Sequence, residues 1–243
     1  MTDNYIVLDT ETTGLNPARD KVLEIGAARI EQGRVVETFE TLIDTGVPIP
    51  ERITELTGIT DAMQAEGKKT EEAFREFFDF CKDLPILGHN ITFDFSFLKQ
   101  MAVNLGYSFE KDGIDTLKIA RKVLSDLPSR RLPDLCVHYG IDPGHSHRAL
   151  DDALATHELL QRLWKEFGEK EPDAFAARPL QYSAKKQNPI TDSQKGYLND
   201  LLKYHRIDTN IRIEDMTKSE ASRMIDKIIL NYGRMPKSGR RTG

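Results

Sequence analysis

The chain opens on a short unbroken apolar run, Tyr5-Ile6-Val7-Leu8, the pattern of a strand covered on both faces. Two β-rich segments follow at residues 22–30 and 35–43, and Glu31-Gln32-Gly33-Arg34 between them predicts a hairpin. Thr70 is placed to cap a helix reaching about Lys82, with Ala73, Phe74, Phe77 and Phe78 at helical spacing. Pro85-Ile86-Leu87-Gly88 predicts another short buried strand, and helices are expected over residues 92–105, 116–124, 133–139 and 148–167. Three early strands followed by helices alternating with short strands predict an α/β fold built on a mixed sheet.

The pattern breaks after Phe167. Residues 169–189 carry Pro172, Pro179 and Pro189 with little apolar periodicity and read as a linker. Beyond it, residues 192–205 and 217–232 predict two amphipathic helices, the second striped by Ala221, Met224, Ile225, Ile228 and Ile229. The expected organisation is a main domain over 1–168, the linker, a small helical module over 190–233 that is marginal for folding alone, and a basic disordered tail over 234–243.

Composition narrows the class. At 243 residues and 39% hydrophobic, the chain can bury a sizeable core. No apolar run approaches the roughly 20 residues of a membrane helix, so no membrane association is expected. Met1-Thr2-Asp3-Asn4 lacks the layout of a signal peptide, and a cytoplasmic location is expected. Cys81 and Cys136 are too few for a disulfide framework and form no CxxC pair, which argues against structural zinc. Charge is unevenly spread: from Arg178 onward fourteen Lys and Arg face seven Asp and Glu, a net of +7, whereas residues 1–177 carry twenty against thirty-two, a net of −12. An acidic front that holds cations and a basic rear that meets a polyanion would reconcile the two; solvated surfaces are the plainer alternative.

Three segments place acids where a core is expected. In Asp9-Thr10-Glu11-Thr12-Thr13-Gly14, Asp9 and Glu11 are two apart and share one face at the end of the buried strand, where they repel unless a cation offsets them. Gly14 permits a tight turn and close approach of a ligand backbone. In His89-Asn90-Ile91-Thr92-Phe93-Asp94, Asn90 suits an N-cap and puts Asp94 in the first helical turn, where the helix dipole favours a carboxylate. In His147-Arg148-Ala149-Leu150-Asp151-Asp152, Asp152 shares a helix face with Thr156, Leu159 and Leu163, the buried side, while Asp151 shares one with Ala155, Glu158 and Arg162, the solvent side. Asp152 is therefore the candidate ligand. His147 would have to swing in from the loop to meet it.

Together, the order D-x-E, HNxxFD and HxAxxD resembles the three motifs of the DEDDh class of DnaQ-like 3′–5′ exonucleases, of the ribonuclease H-like superfamily, over about residues 5–167. Asp9–Leu15 looks most like the proofreading exonucleases of bacterial replicative DNA polymerase III, and Ile53–Thr60 is similar to the corresponding segment of the Gram-positive polymerase type. The resemblance implies a mixed five-stranded sheet flanked by helices that brings Asp9, Glu11, Asp94 and Asp152 together around two Mg²⁺ or Mn²⁺ ions, with His147 as general base. It implies substrate-binding roles for Thr12, Gly14, Leu15, Gly58, Ile59, His89, Asn90 and Phe93, with Leu15 and Ile59 packing on the terminal base or sugar and Phe93 adding a stacking surface. The implied activity is release of nucleoside 5′-monophosphates from nucleic acid 3′ ends, most readily from single-stranded or frayed DNA. A separate DNA polymerase is the implied partner of a proofreading role. His147–Asp152 also resembles oligoribonucleases, so an RNA-trimming enzyme of the oligoribonuclease or ribonuclease T kind stays open, as does a catalytically silent nucleic-acid-binding protein.

Overall fold

The computed structural model describes residues 3–144 and 148–236. The chain divides into two compact units, one of residues 1–45 and 49–185, the other of residues 46–48 and 186–243.

In the first unit, strand β1 (Tyr5–Thr12) lies between its antiparallel neighbour β2 (Val22–Glu31) and the parallel β5 (Ile86–Gly88). β3 (Arg34–Asp44) pairs antiparallel with β2 through a two-residue turn at Gln32 and Gly33, both with positive φ, which matches the right-handed twist of a hairpin. β6 (Asp112–Asp115) extends the sheet in parallel beyond β5. These five strands are the expected mixed sheet. Two-residue strands lengthen it at either edge, β4 (Lys68–Lys69) beside β3 and β7 (Arg178–Pro179) beside β6, giving the order β4-β3-β2-β1-β5-β6-β7 among the described residues.

Alternation along β1 divides the interior. Ile6 and Leu8 join one core with Phe74 and Phe77 of helix α3 (Thr70–Cys81) and Phe95 and Leu98 of α4 (Thr92–Leu105). Tyr5 and Val7 join another with Leu135 of α6 (Leu132–Tyr139) and Leu159, Leu160 and Leu163 of α7 (Ala149–Phe167). Between β3 and β4 lie the short helices α1 (Glu51–Thr57) and α2 (Asp61–Ala65), and α5 (Thr116–Val123) follows β6 directly.

Two boundaries differ from expectation. Thr70 is the first residue of α3 rather than its cap; Lys69 holds the cap position without a side-chain bond, because residues 68–69 are held in strand β4. Residues 169–185 are also no linker. A 3₁₀ turn at Pro172–Phe175 seats Phe175 fully buried against Trp164, and Arg178 pairs with Gly113. The prolines that break periodicity there mark a turn and a sheet edge, both of which tolerate a missing N–H.

The second unit holds α8 (Asp192–His205) and α9 (Lys218–Tyr232), with a 3₁₀ turn at Ile213–Asp215 between them. Each helix starts in a capping box, Thr191 with Gln194 and Thr217 with Glu220. Leu198, Leu201, Leu202, Ile213, Met216, Ala221 and Ile228 form its core. Of the tail expected over 234–243, residues 237–243 lie outside the described residues. No helix among the described residues is long and apolar enough to cross a membrane.

Candidate active site

The two faces of β1 continue past its apolar half into the acids. Tyr5, Val7, Asp9 and Glu11 occupy one face by alternation, and Tyr5 Oη already meets Nδ1 of His157 on α7 at 2.9 Å. Further along, the same face brings Asp9 and Glu11 to Asp152 of α7, with one carboxylate oxygen from each within 4.8 Å of the others. The opposite face carries Ile6, Leu8 and Thr10 towards α4. There the Thr10 N–H (3.0 Å) and hydroxyl (2.7 Å) both donate to Oδ1 of Asp94. The strand end is thus held between two helices, each contributing an acid near its own N-terminus.

Two residues that sequence reasoning passed over make this approach possible. Gly26 on β2 pairs with Asp9, and a Cβ there would sit 2.0 Å from the backbone nitrogen of Leu150. The first turn of α7 therefore rests directly on the sheet backbone. Glu24, opposite Glu11, is fully buried and accepts from Arg148 Nε (3.1 Å), Arg148 Nη2 (2.7 Å) and the backbone N–H of Ala149 (3.0 Å). Arg148 reaches on to Glu40 at 2.8 Å. A buried carboxylate bridging a guanidinium and a helix-start N–H fixes where α7 begins, and hence where Asp152 lies. The only signals in the sequence were Glu24 and Gly26, set among the apolar residues 22–28 of β2.

The electrostatics are those of negative charge without sufficient counter-charge. Burial, then the neighbouring Asp94, Glu11 and Asp152, pushes the Asp9 carboxyl well above its ordinary range. Burial, Asp152 and Glu24 push Glu11 up to about 8, against the opposing pull of Arg148. Asp94 rises to about 7, chiefly through burial, although the bonds from Thr10 oppose the shift. Close, at least half-buried, hard oxygen donors, with the Asp9, Glu11 and Asp94 carboxyls raised and no thiolate among them, fit a hard divalent cation.

The remaining predicted site residues fall into distinct places. Asn90 is not the N-cap of α4. It adopts φ +73° and donates its N–H to Asp115, while Ile91 takes the cap position without a side-chain cap. Asn tolerates the left-handed region better than most residues because its short polar side chain bonds locally, the same property that made Asn90 resemble a cap. Asp94 is nonetheless in the first turn. Both ring nitrogens of His89 are engaged, Nδ1 with the Thr116 hydroxyl (2.9 Å) and Nε2 with the Arg130 carbonyl (2.8 Å), so the ring acts by holding its surroundings. The Thr12 hydroxyl donates to the Gly14 carbonyl at 2.6 Å. A Cβ on Gly14 would meet the Asp20 carboxylate at 2.4 Å, so the glycine makes room for that side chain.

Leu15 is 78% exposed and available to a ligand. Ile59 is not: it is fully buried with Leu23, Ile49 and Ile53, because Gly58 (φ +72°) ends α1 and turns the chain inward. Phe93 is half-buried and packs on Phe97 at 5.0 Å between ring centroids. On α7, Glu158 and Arg162 form an exposed pair as expected of the Asp151 face, but Ala155 is buried in the core, burial on a second side that a one-sided helix pattern cannot show. His147 lies outside the described residues.

Residues 6–160 match the family RNase_T, Exonuclease. The chain belongs to this exonuclease family. DNA polymerase III subunit epsilon of Aquifex aeolicus is 36% identical over 169 residues, covering 68% of this chain and 84% of that protein. DNA polymerase III PolC-type of Caldanaerobacter subterraneus subsp. tengcongensis is 37% identical over 165 residues, 68% of this chain but only 12% of that polymerase. The exonuclease fold is shared with a zinc-bound E. coli ExoI–single-stranded DNA complex (TM-score 0.63, 23% identity, 71% of this chain and 42% of that one). It is shared too with Exonuclease X in complex with 5′ overhanging duplex DNA (TM-score 0.55, 24% identity, 68% and 93%). In the family matched, as in the fold, the exonuclease segment is the first unit of this chain.

Proposed function

We propose that the protein is a metal-dependent 3′–5′ exonuclease that removes nucleoside 5′-monophosphates from single-stranded or frayed DNA ends. The observation that carries this reading is the meeting of Asp9, Glu11 and Asp152, with Asp94 tied to the same strand, inside an exonuclease-family domain. Its relatives named as DNA polymerase III epsilon and PolC-type favour DNA over RNA and suggest service to a separate polymerase.

Asp9, Glu11, Asp94 and Asp152 would hold two Mg²⁺ or Mn²⁺ ions. When bound, the ions supply Lewis-acid activation of water and stabilisation of the departing 3′-oxygen. The chain's own residues do the rest. Glu24 and Arg148 hold the start of α7, so Asp152 stays beside Asp9. His147, one residue before Arg148, takes the proton of the attacking water, a role worth on the order of 10²–10⁴ in rate. Leu15 lies against the terminal nucleotide as an apolar wedge that is indifferent to sequence.

A labelled single-stranded DNA oligonucleotide, its RNA counterpart and a duplex with a mismatched 3′ end, each with Mg²⁺ and with chelator, test the reading. Stepwise shortening of DNA from the 3′ end with mononucleotide release is expected. Metal-independent turnover or strict RNA preference would refute it, and binding without any turnover would favour the silent alternative.

A further inference from the structure

The parallel strands on one side of β1 end on the same edge of the sheet: Leu87 of β5 pairs with Val7, and Gly88 of β5 pairs with Asp115 of β6. Just beyond those ends lies a cavity of about 570 Å³ lined by His89, Asn90, Leu117, Arg121, Arg130 and Arg131 among others. Adjacent strands are about 4.8 Å apart, so Asp115, at the end of β6 and level with Leu8, lies roughly 10 Å across the sheet from the residue that precedes Asp9. That span is about three stacked nucleotide steps.

The charge of this cavity is unbalanced in the direction opposite to the acid cluster. On α5, Lys118 faces Asp115 and Lys122 pairs with Glu171, but Arg121 has no carboxylate partner among the described residues. The Arg130 guanidinium donates to the carbonyls of Leu124 and Ser125, bonds that orient the group without neutralising it. Arg131 shares its charge with Asp134 in an exposed pair. The loop carrying these arginines is pinned to the sheet edge, because the His89 Nε2–H holds the Arg130 carbonyl. Leu117 gives the cavity an apolar wall. An oriented cationic cavity with one apolar side, on the same edge as a nuclease-type acid cluster, suits a phosphodiester with its attached nucleoside.

We propose that this cavity is a subsite for a phosphate of the substrate strand upstream of the scissile bond, with Arg121 and Arg130 as its cationic contacts. It rests on the exonuclease reading of the neighbouring acids and adds what holds the strand that reaches them.

The test compares two substrates of the full chain with Mg²⁺. One is the p-nitrophenyl ester of thymidine 5′-monophosphate, which has a single phosphodiester and no upstream strand; the other is a labelled single-stranded DNA oligonucleotide. In Arg121→Gln the ratio of kcat/KM on the oligonucleotide to that on the ester is expected to fall about tenfold, mainly through KM. Arg121→Glu should lower it further, and Arg121→Lys should restore most of it. The dependence of log KM on log salt should flatten by about 0.7–1 in Arg121→Gln. An unchanged ratio and slope, with both substrates still turned over, would overturn the subsite alone. Turnover of neither substrate by the unsubstituted chain would overturn the exonuclease reading and the subsite with it.

Discussion

Asp9 shows how burial and charge combine at a single side chain. It continues an apolar strand face, yet it meets other carboxylates there, so in the absence of a cation its proton is retained well above the ordinary range. Its partners share this behaviour: Glu11 moves from 4.5 to about 8, and Asp94 from 3.8 to about 7. Groups with raised folded-state values stabilise the fold below their unfolded pKa, and that contribution is lost as pH rises through the folded value. The chelated protein should therefore melt at progressively lower temperature from about pH 5 to about pH 8. Mg²⁺ should raise the midpoint more at pH 8 than at pH 5, since it competes with those protons. A calorimetric series with and without chelator checks both, and a flat profile would contradict the metal assignment. At the same scale, Asp9→Ala or Asp152→Ala should abolish nucleotide release while Asp151→Ala retains it. His147→Ala should keep metal-induced stabilisation but lose about 10²–10⁴ in kcat; wild-type turnover would remove it as the base.

Helix α7 depends on contacts its own amphipathic pattern does not contain. Its apolar stripe, Leu159, Leu160 and Leu163, holds the helix on the sheet, but the location of its first turn is set by Gly26 and by the Glu24–Arg148 pair. Gly26→Ala places a methyl group against the backbone of Ala149 and Leu150 and must push that turn outward. A cost of about 1–3 kcal/mol in stability is expected for such overpacking. Displacing Asp152 by even about an ångström should reduce kcat on the order of 10²-fold. Thermal melts and a nucleotide-release assay measure the two separately, and normal kcat in a folded variant would show that α7 tolerates the shift. The same view explains the helix starts that differed from expectation. Thr70 and Asn90 have good capping chemistry, but a neighbouring strand pairing holds residues 68–69, and Asp115 holds the Asn90 N–H, so local propensity yields to tertiary bonds.

The molecule as a whole pairs an acidic exonuclease unit with a basic helical one, and the boundary matters for any dissection. Ending the chain at Glu171 would remove Phe175 and strand β7 from the first unit, whereas ending it at Lys185 keeps both. If the second unit attracts nucleic acid through its net positive charge, the shorter chain should bind oligonucleotide with a visibly flatter salt dependence. An unchanged slope would favour the alternative, a unit that packs on or docks a protein. The first three strands and their hairpin, the helices from α3 onward, the two-helix module and the three acidic motifs were legible because each is written in a local period or a short spacing, whereas the short α1 and α2 were not. Helix face singled out Asp152 over Asp151, and it is the Asp152 carboxylate that lies with those of Asp9 and Glu11. What only the tertiary structure decided was contact between distant segments: Gly26 beneath Leu150, Glu24 locked to Arg148, Ile59 turned inward, Phe175 drawn into the core, and arginines gathered beyond β6. Periodicity records which side of an element is buried, whereas the partner that buries it, and any charge left unpaired beside it, follow from packing of chain regions far apart in sequence.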